Sequence, residues 1–155
     1  MPDPVKLLKQ DHTEVKRLFD EFESADGRSK ARIASEALTE LEVHADIEEE
    51  IFYPAISELG GTESMLAEAE QEHHVAHVLI DELRRMQRAD DATTYDAKFT
   101  VLMENVRHHI KEEESEMLPE AGKVGKDALE SIGSQMENRK QALLSEKKQA
   151  AAATR

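Results

Sequence analysis

Apolar residues along this chain recur every three or four positions, and nowhere do they alternate strictly with polar ones over a strand's length. The spacing predicts a helix over 4–24, with Val5, Leu8, His12, Val15, Phe19 and Phe22 on one stripe. Asp26-Gly27-Arg28-Ser29 interrupts it, and Gly27 reads as a C-terminal stop. A second helix over 29–59 stripes Ala34, Ala37, Leu41, His44, Glu48, Ile51 and Ala55, with Pro54 expected to bend it. Gly60-Gly61-Thr62 makes a turn with Thr62 as N-cap. A third helix over 63–89 carries Leu66, Ala69, His73, Ala76, Ile80 and Leu83, and a fourth over 94–118 carries Phe99, Leu102, Val106, His109 and Glu113 before Pro119. Beyond Gly122 and Gly125, an amphipathic segment over 127–146 precedes a tail expected to fray, Lys147 to Arg155. The prediction is all-α: an antiparallel up-down four-helix bundle over 1–122, with a short additional C-terminal helix and flexible tail over 123–155.

The chain repeats itself at low identity. Asp11-His12 matches Glu72-His73, and His44-x3-Glu48-x5-Pro54 matches His109-x3-Glu113-x5-Pro119. Each half is one helical hairpin contributing a His, then a His and a Glu. A His and a Glu four apart share one helix face and can grip one ion together.

Position gives these residues their meaning. His12, His44, Glu48, His73, His109 and Glu113 all interrupt apolar stripes, where a bundle wants Leu or Ile. A buried carboxylate without a partner costs several kcal/mol, about as much as a core can bear. Six such residues spread over four helices must satisfy one another, and bound metal does so economically. Imidazole and carboxylate donors suit Fe, Mn and Zn. Any one of these His–Glu pairs alone would read as an ordinary helix side-chain pair.

Further residues bear on the site. His77 lies one turn after His73 and is a candidate ligand, although its counterpart in the first half is Lys16. His74 points away from His73, and His108 competes with His109, which the repeat register favours. Ideal helical rotation turns Tyr53 about 180° from His44 and favours packing; a local bulge would bring its phenol to the metals. Glu49, Glu50, Glu112, Glu114 and Glu116 read as a solvated acidic face, from which one carboxylate could orient a ligand His.

Composition narrows the chemistry. There is no Cys, which excludes disulfides and thiolate sites. A formal net charge of -14 argues against nucleic acid and anionic membranes as partners. No apolar run reaches membrane-spanning length and the first residues lack a signal-peptide core, so a cytoplasmic protein is expected, as a monomer or weak homodimer. There is no G-x-S-x-G, no phosphate-binding Gly loop and no His-Glu-x-x-His.

Asp11-His12, His44-x3-Glu48 with Glu-Ile-Phe-Tyr-Pro close behind, Glu72-His73, and His109-x3-Glu113 with Met-Leu-Pro close behind together resemble the hemerythrin-like family, the HHE cation-binding domains. The resemblance covers about residues 4–120. It implies a non-haem centre of two Fe ions with an oxo or hydroxo bridge, His12, His44, His73 and His109 as terminal ligands, and Glu48 and Glu113 as bridges. His73 and His77 resemble the H-x3-H pair of the oxygen-carrying hemerythrins. Those carriers use a longer His-to-Asp spacing in the last helix, where this chain has H-x3-E. That departure and Tyr53 point to the bacterial branch. The expected function is binding of oxygen, peroxide or nitric oxide in stress response or sensing. The alternatives are a catalase-like or ferroxidase oxidoreductase, an iron storage or handling protein, and a structural or interaction bundle whose His–Glu pairs bind adventitious metal or none.

Overall fold

A computed structural model describes residues 2–153. Helix α1 spans Pro4–Ser24 and α2 spans Gly27–Ile47. A wide π-helical turn, Glu48–Phe52, passes into α3, Tyr53–Ser57. Helix α4 spans Glu63–Arg85 and α5 spans Ala92–Glu112. A second π turn, Glu113–Met117, leads into α6, Leu118–Ala121, and a single 3₁₀ turn, Gly122–Val124, precedes α7, Lys126–Ala153. No strand occurs among the described residues. The two hairpins, α1–α2 and α4–α5, pack so that α1 also meets α5 and α2 also meets α4, which closes the four-helix bundle.

Three helices begin on an aspartate that offers its side chain to otherwise unpaired N–H groups. Asp3 accepts from the Val5 N–H at 2.8 Å, Asp26 from Ser29 at 2.9 Å, and Asp91 from Thr94 at 3.0 Å. The Asp26 cap corrects one expectation: Gly27 opens α2 rather than closing α1, which ends at Ser24. Thr62 likewise forms no side-chain cap; its hydroxyl donates back to the Ile56 carbonyl at 3.3 Å. Gly60 and Gly61 both take positive φ, 73° and 74°, which explains two glycines in succession at that turn.

The core is split in two. One cluster, around Phe19, Phe22 and Phe99, fills the bundle end holding Val15, Leu41 and Val106. The other, around Leu8, Ile47, Phe52 and Met136, fills the opposite end and takes in Leu143 of α7. The polar residues of the apolar stripes lie between these two dry regions. Helix α7 runs against α1, α2 and the first π turn. It extends further than its apolar pattern predicts: Lys147–Ala153, expected to fray, continue the helix, in keeping with the high helix propensity of the alanine run. The last two residues of the expected tail, 154 and 155, lie outside the described residues.

Candidate metal centre

Both π turns follow from the same local conflict. Pro54 and Pro119 lack an N–H, and each ring crowds the carbonyl four residues back. A turn closed by an i→i+5 hydrogen bond relieves this. The Tyr53 N–H bonds the Glu48 carbonyl, and the Leu118 N–H bonds that of Glu113. The wider turn places Tyr53 one turn below Glu48 on the same face, so the bulge needed to bring the phenol inward is present.

Four imidazoles meet in the middle of the bundle, one each from α1, α2, α4 and α5: His12, His44, His73 and His109, all buried. They form two pairs, one from each half of the chain, with ring centroids 5.0 Å apart for His12–His44 and 4.9 Å for His73–His109. Glu48 and Glu113 lie between the pairs, at 0 % and 1 % exposure. Glu48 Oε1 is 3.2 Å from the Nε2 atoms of both His44 and His73. Glu113 spans the pairs the other way, with Oε1 3.2 Å from His12 Nε2 and Oε2 3.1 Å from His109 Nε2. Two overlapping donor sets result: His12, His44, Glu48 and Glu113, and Glu48, His73 and His109.

Every one of the four imidazoles is held from behind. Nδ1 of His44 meets Asp11 at 3.0 Å, His109 meets Glu72 at 2.8 Å, His73 meets Glu49 at 2.8 Å and His12 meets Glu114 at 2.7 Å. A carboxylate only accepts, so each ring donates from Nδ1–H and turns Nε2 inward. The braces obey the internal repeat. Asp11 and Glu72 each hold a His of their own half, whereas Glu49 and Glu114 each hold a His of the other half. Sequence reasoning read Asp11 and Glu72 only as markers of the repeat, and Glu49 and Glu114 as part of a solvated face from which one carboxylate could orient a ligand His; two of that face do so. The signal that could have found them is their fixed adjacency to His12, His73, Glu48 and Glu113 in both halves.

The inward atoms have no adequate partner among themselves. His12 Nε2, His44 Nε2, both oxygens of Glu48 and Glu113 Oε1 are fully buried without a hydrogen bond. Several lie about 3.2 Å apart without forming a hydrogen bond, and the donor atoms of each set gather about a common point, all within 4.8 Å of one another. Leaving five such atoms unsatisfied costs roughly 1–3 kcal/mol each. Cations at those points would satisfy all of them, so the donor set fits metal.

Electrostatics agree. Burial pushes the His44 imidazole down, but Glu48 and Asp11 outweigh it and raise it to about 10. Burial also opposes protonation of His109, yet the carboxylates of Glu113, Glu48 and Glu72 around it raise it to about 12. Burial disfavours the Glu48 charge, but His44 and, behind it, the neighbouring Glu113 and His109 hold its carboxyl well below the usual range. The metal-free site therefore keeps protons where cations would sit.

Tyr53 breaks the pseudo-symmetry, because its counterpart is Leu118. Its O–H donates to Glu113 Oε2 at 2.6 Å, and its oxygen is 3.2 Å from Nε2 of both His73 and His109. Burial, then the charges of Glu48 and Glu113, push its phenol far above its ordinary range. His77 stands apart, more than a third exposed, with Nε2 2.9 Å from Glu49 Oε2. It joins the outer side of the His73 brace, in a separate Glu49–His73–His77 cluster, and contributes to neither inward donor set. His74 is exposed, and His108 is 61 % exposed and faces Glu112 at 3.0 Å.

On the side away from Tyr53, a cavity of about 40 Å³ abuts all four imidazoles. Val15, Leu41, Ala76, Ile80, Val106 and Ile110 give it apolar walls. No helix among the described residues is long and apolar enough to cross a membrane.

The chain is similar to known proteins. The Hemerythrin HHE cation binding domain matches residues 3–121. Rv2633c of Mycobacterium tuberculosis, described as an uncharacterized protein, is 33 % identical over 135 residues, covering 84 % of this chain and 80 % of that one. Mb2666c of Mycobacterium bovis, described in the same way, matches to the same extent. The crystal structure of a Hemerythrin HHE cation binding domain-containing protein from Mycobacterium kansasii, an Rv2633c homolog, superposes with a TM-score of 0.77 at 26 % identity. That match covers 92 % of this chain and 88 % of the other.

Proposed function

We propose, from the premise that this chain belongs to the hemerythrin HHE cation-binding family, that its bundle holds two non-haem iron ions and binds oxygen, peroxide or nitric oxide beside them. The observation that carries this reading is the set of five buried donor atoms without partners, ringed by four imidazoles whose tautomers are all fixed. His12 and His44 would hold one ion and His73 and His109 the other, with Glu48 and Glu113 between them. Iron in such a site supplies reversible electron transfer and coordination to small ligands.

The chain's own contribution is placement and exclusion. The carboxylate braces keep each Nε2 lone pair inward and the rings rigid. The apolar cavity keeps bulk water from the His edge of the centre and limits the guest to a few atoms, since a single water needs about 10–15 Å³ by the same measure. It admits a diatomic or a peroxide and turns away organic substrates. Such a role suits stress response or sensing in the cytoplasm, with no nucleic acid or membrane partner, as a monomer or weak homodimer.

A second reading, an oxidoreductase that turns over peroxide or oxidises ferrous iron, is favoured by Tyr53. Its phenol takes up space beside His73 and His109 that a simple carrier would leave open, and its O–H donates to Glu113 Oε2 across 2.6 Å, so a proton donor stands beside the centre.

Metal content per chain, measured by mass spectrometry on gently purified protein together with its visible spectrum, tests the proposal. About two irons per chain with ligand-dependent spectra and no turnover support the first reading. Steady peroxide consumption by the iron form, lost in Glu48→Ala, supports the second. Protein that takes up no iron, even after anaerobic ferrous reconstitution, refutes both.

A further inference from the structure

Helix α7 lies beyond residues 3–121 and carries none of the six inward donors, yet it reaches the centre. Lys140 Nζ is 2.6 Å from Asp11 Oδ1, and Asp11 Oδ2 is 3.0 Å from His44 Nδ1. The Asp11 carboxylate is thus clamped at both oxygens, one by an ammonium from α7 and the other by the imidazole it braces. The clamp is enclosed: the Asp11 side chain is 5 % exposed and that of Lys140 22 %. Met136 and Leu143, one turn to either side of Lys140, are buried in the apolar cluster and fix the helix in rotation. Arg139 pairs with Glu50, and Lys147 with Glu42, further along the same contact.

The other three braces have no such clamp. Glu49 meets His77 besides His73, Glu72 meets His108 besides His109, and Glu114 meets His12. Among the described residues, none of these three forms an ion pair with Lys or Arg. The repeat gives each half one intra-half brace, Asp11 or Glu72, and α7 clamps only the first.

We propose that Lys140 is a positioning residue for one of the two metal positions: by fixing Asp11 it fixes His44 and makes the His12–His44 position the more firmly organised of the two. This rests on the metal-centre reading above. The interaction is local, because a clamped carboxylate orients only the ring it touches, and His44 Nε2 serves one position only. Without the ammonium, one buried oxygen of Asp11 loses its donor and the side chain is free to leave His44, whose ring is then no longer held at Nδ1.

Cobalt(II) titration of the full chain, followed by visible absorption, reads the two positions stepwise. Wild type should bind two ions. Lys140→Met should weaken one step about tenfold and change the bands of one position, leaving the other step within about twofold, while Lys140→Arg keeps both near wild type. Lys140→Gln gives the same reading should the Met variant fail to fold. Arg139→Met, which removes a neighbouring α7 ion pair, should change neither step. Unchanged constants in Lys140→Met and Lys140→Gln, equal weakening of both steps in them, or the same one-step loss in Arg139→Met would each overturn the proposal. The first of these outcomes leaves the metal-centre reading standing, whereas wild type that binds no cobalt overturns both.

Discussion

Replacing Tyr53 by Phe removes one oxygen atom from the centre and leaves the ring in its place in the apolar cluster. That oxygen donates to Glu113 Oε2 at 2.6 Å, and Glu113 is 1 % exposed, so no water can take over. A hydrogen bond to a buried charged group contributes roughly 1.5–3 kcal/mol, and Tyr53→Phe should destabilise the metal-free protein by about 2 kcal/mol. For a domain of this size each kcal/mol shifts Tm by about 2–4 °C, giving a drop of about 4–8 °C. Thermal unfolding of metal-free protein by circular dichroism reads this directly. The ferric form gives an independent reading: a phenolate-to-iron band present in wild type should vanish in the variant, whose His73–His109 side is then open to added ligands. A variant that melts with wild type and keeps the same visible spectrum would show that the phenol does not stand where its distances place it.

Four other outcomes follow from the same geometry. His44 and His109 are raised to about 10 and about 12, above the unfolded value of about 6.5, so their stabilisation is complete below pH 6.5 and lost as pH rises through the folded values. Metal-free protein should therefore resist urea better at pH 6.5 than at pH 9.5, measured by unfolding at both; equal resistance contradicts the assignment. His44→Ala or His109→Ala should lower iron content by more than about half, and full loading of either variant would remove that residue from the ligand set. Glu49→Ala, which a solvated residue would tolerate, should weaken metal at the His73 side about tenfold because it deletes a brace; unchanged affinity would return Glu49 to the surface. A Cβ on Gly133 would meet the Pro2 carbonyl oxygen at 2.2 Å, so Gly133→Ala should cost about 1–3 kcal/mol in denaturant unfolding, and a neutral result would mean that α7 does not press on the N-terminus as closely as it does here.

The bundle and its inward donors were legible because each depends on periodicity within a single helix. His12, His44, Glu48, His73, His109 and Glu113 stand at apolar stripe positions, and the matched halves reinforce them. Tyr53 was ambiguous because its direction depends on a single inserted residue in the turn before Pro54, and uniform helical rotation places it on the wrong face. That an acidic-face carboxylate could brace a His was legible, but not which one braces which ring, because each brace joins two helices: Glu49 acquires its meaning only from the position of His73 across the bundle. Lys140 carries no local signal at all, being one of several cations on an amphipathic helix. Gly27 and Thr62 misled for a simpler reason. Each has two common roles at a helix boundary, and the neighbouring Asp26 and Ile56 decide between them.

The crossed bracing also dictates when the centre can come into being. Either hairpin alone carries one imidazole with its own brace, His44 with Asp11 or His109 with Glu72, and one whose brace lies in the other hairpin. During synthesis, His12 waits for Glu114, more than a hundred residues later in the chain. A nascent or half-docked chain thus offers only loosely oriented donors, and on the proposed reading a firm grip on metal would arise only when the two hairpins join. Capture of an ion would thereby be tied to completion of the fold, and an unfinished chain would be a poor trap for a reactive cation.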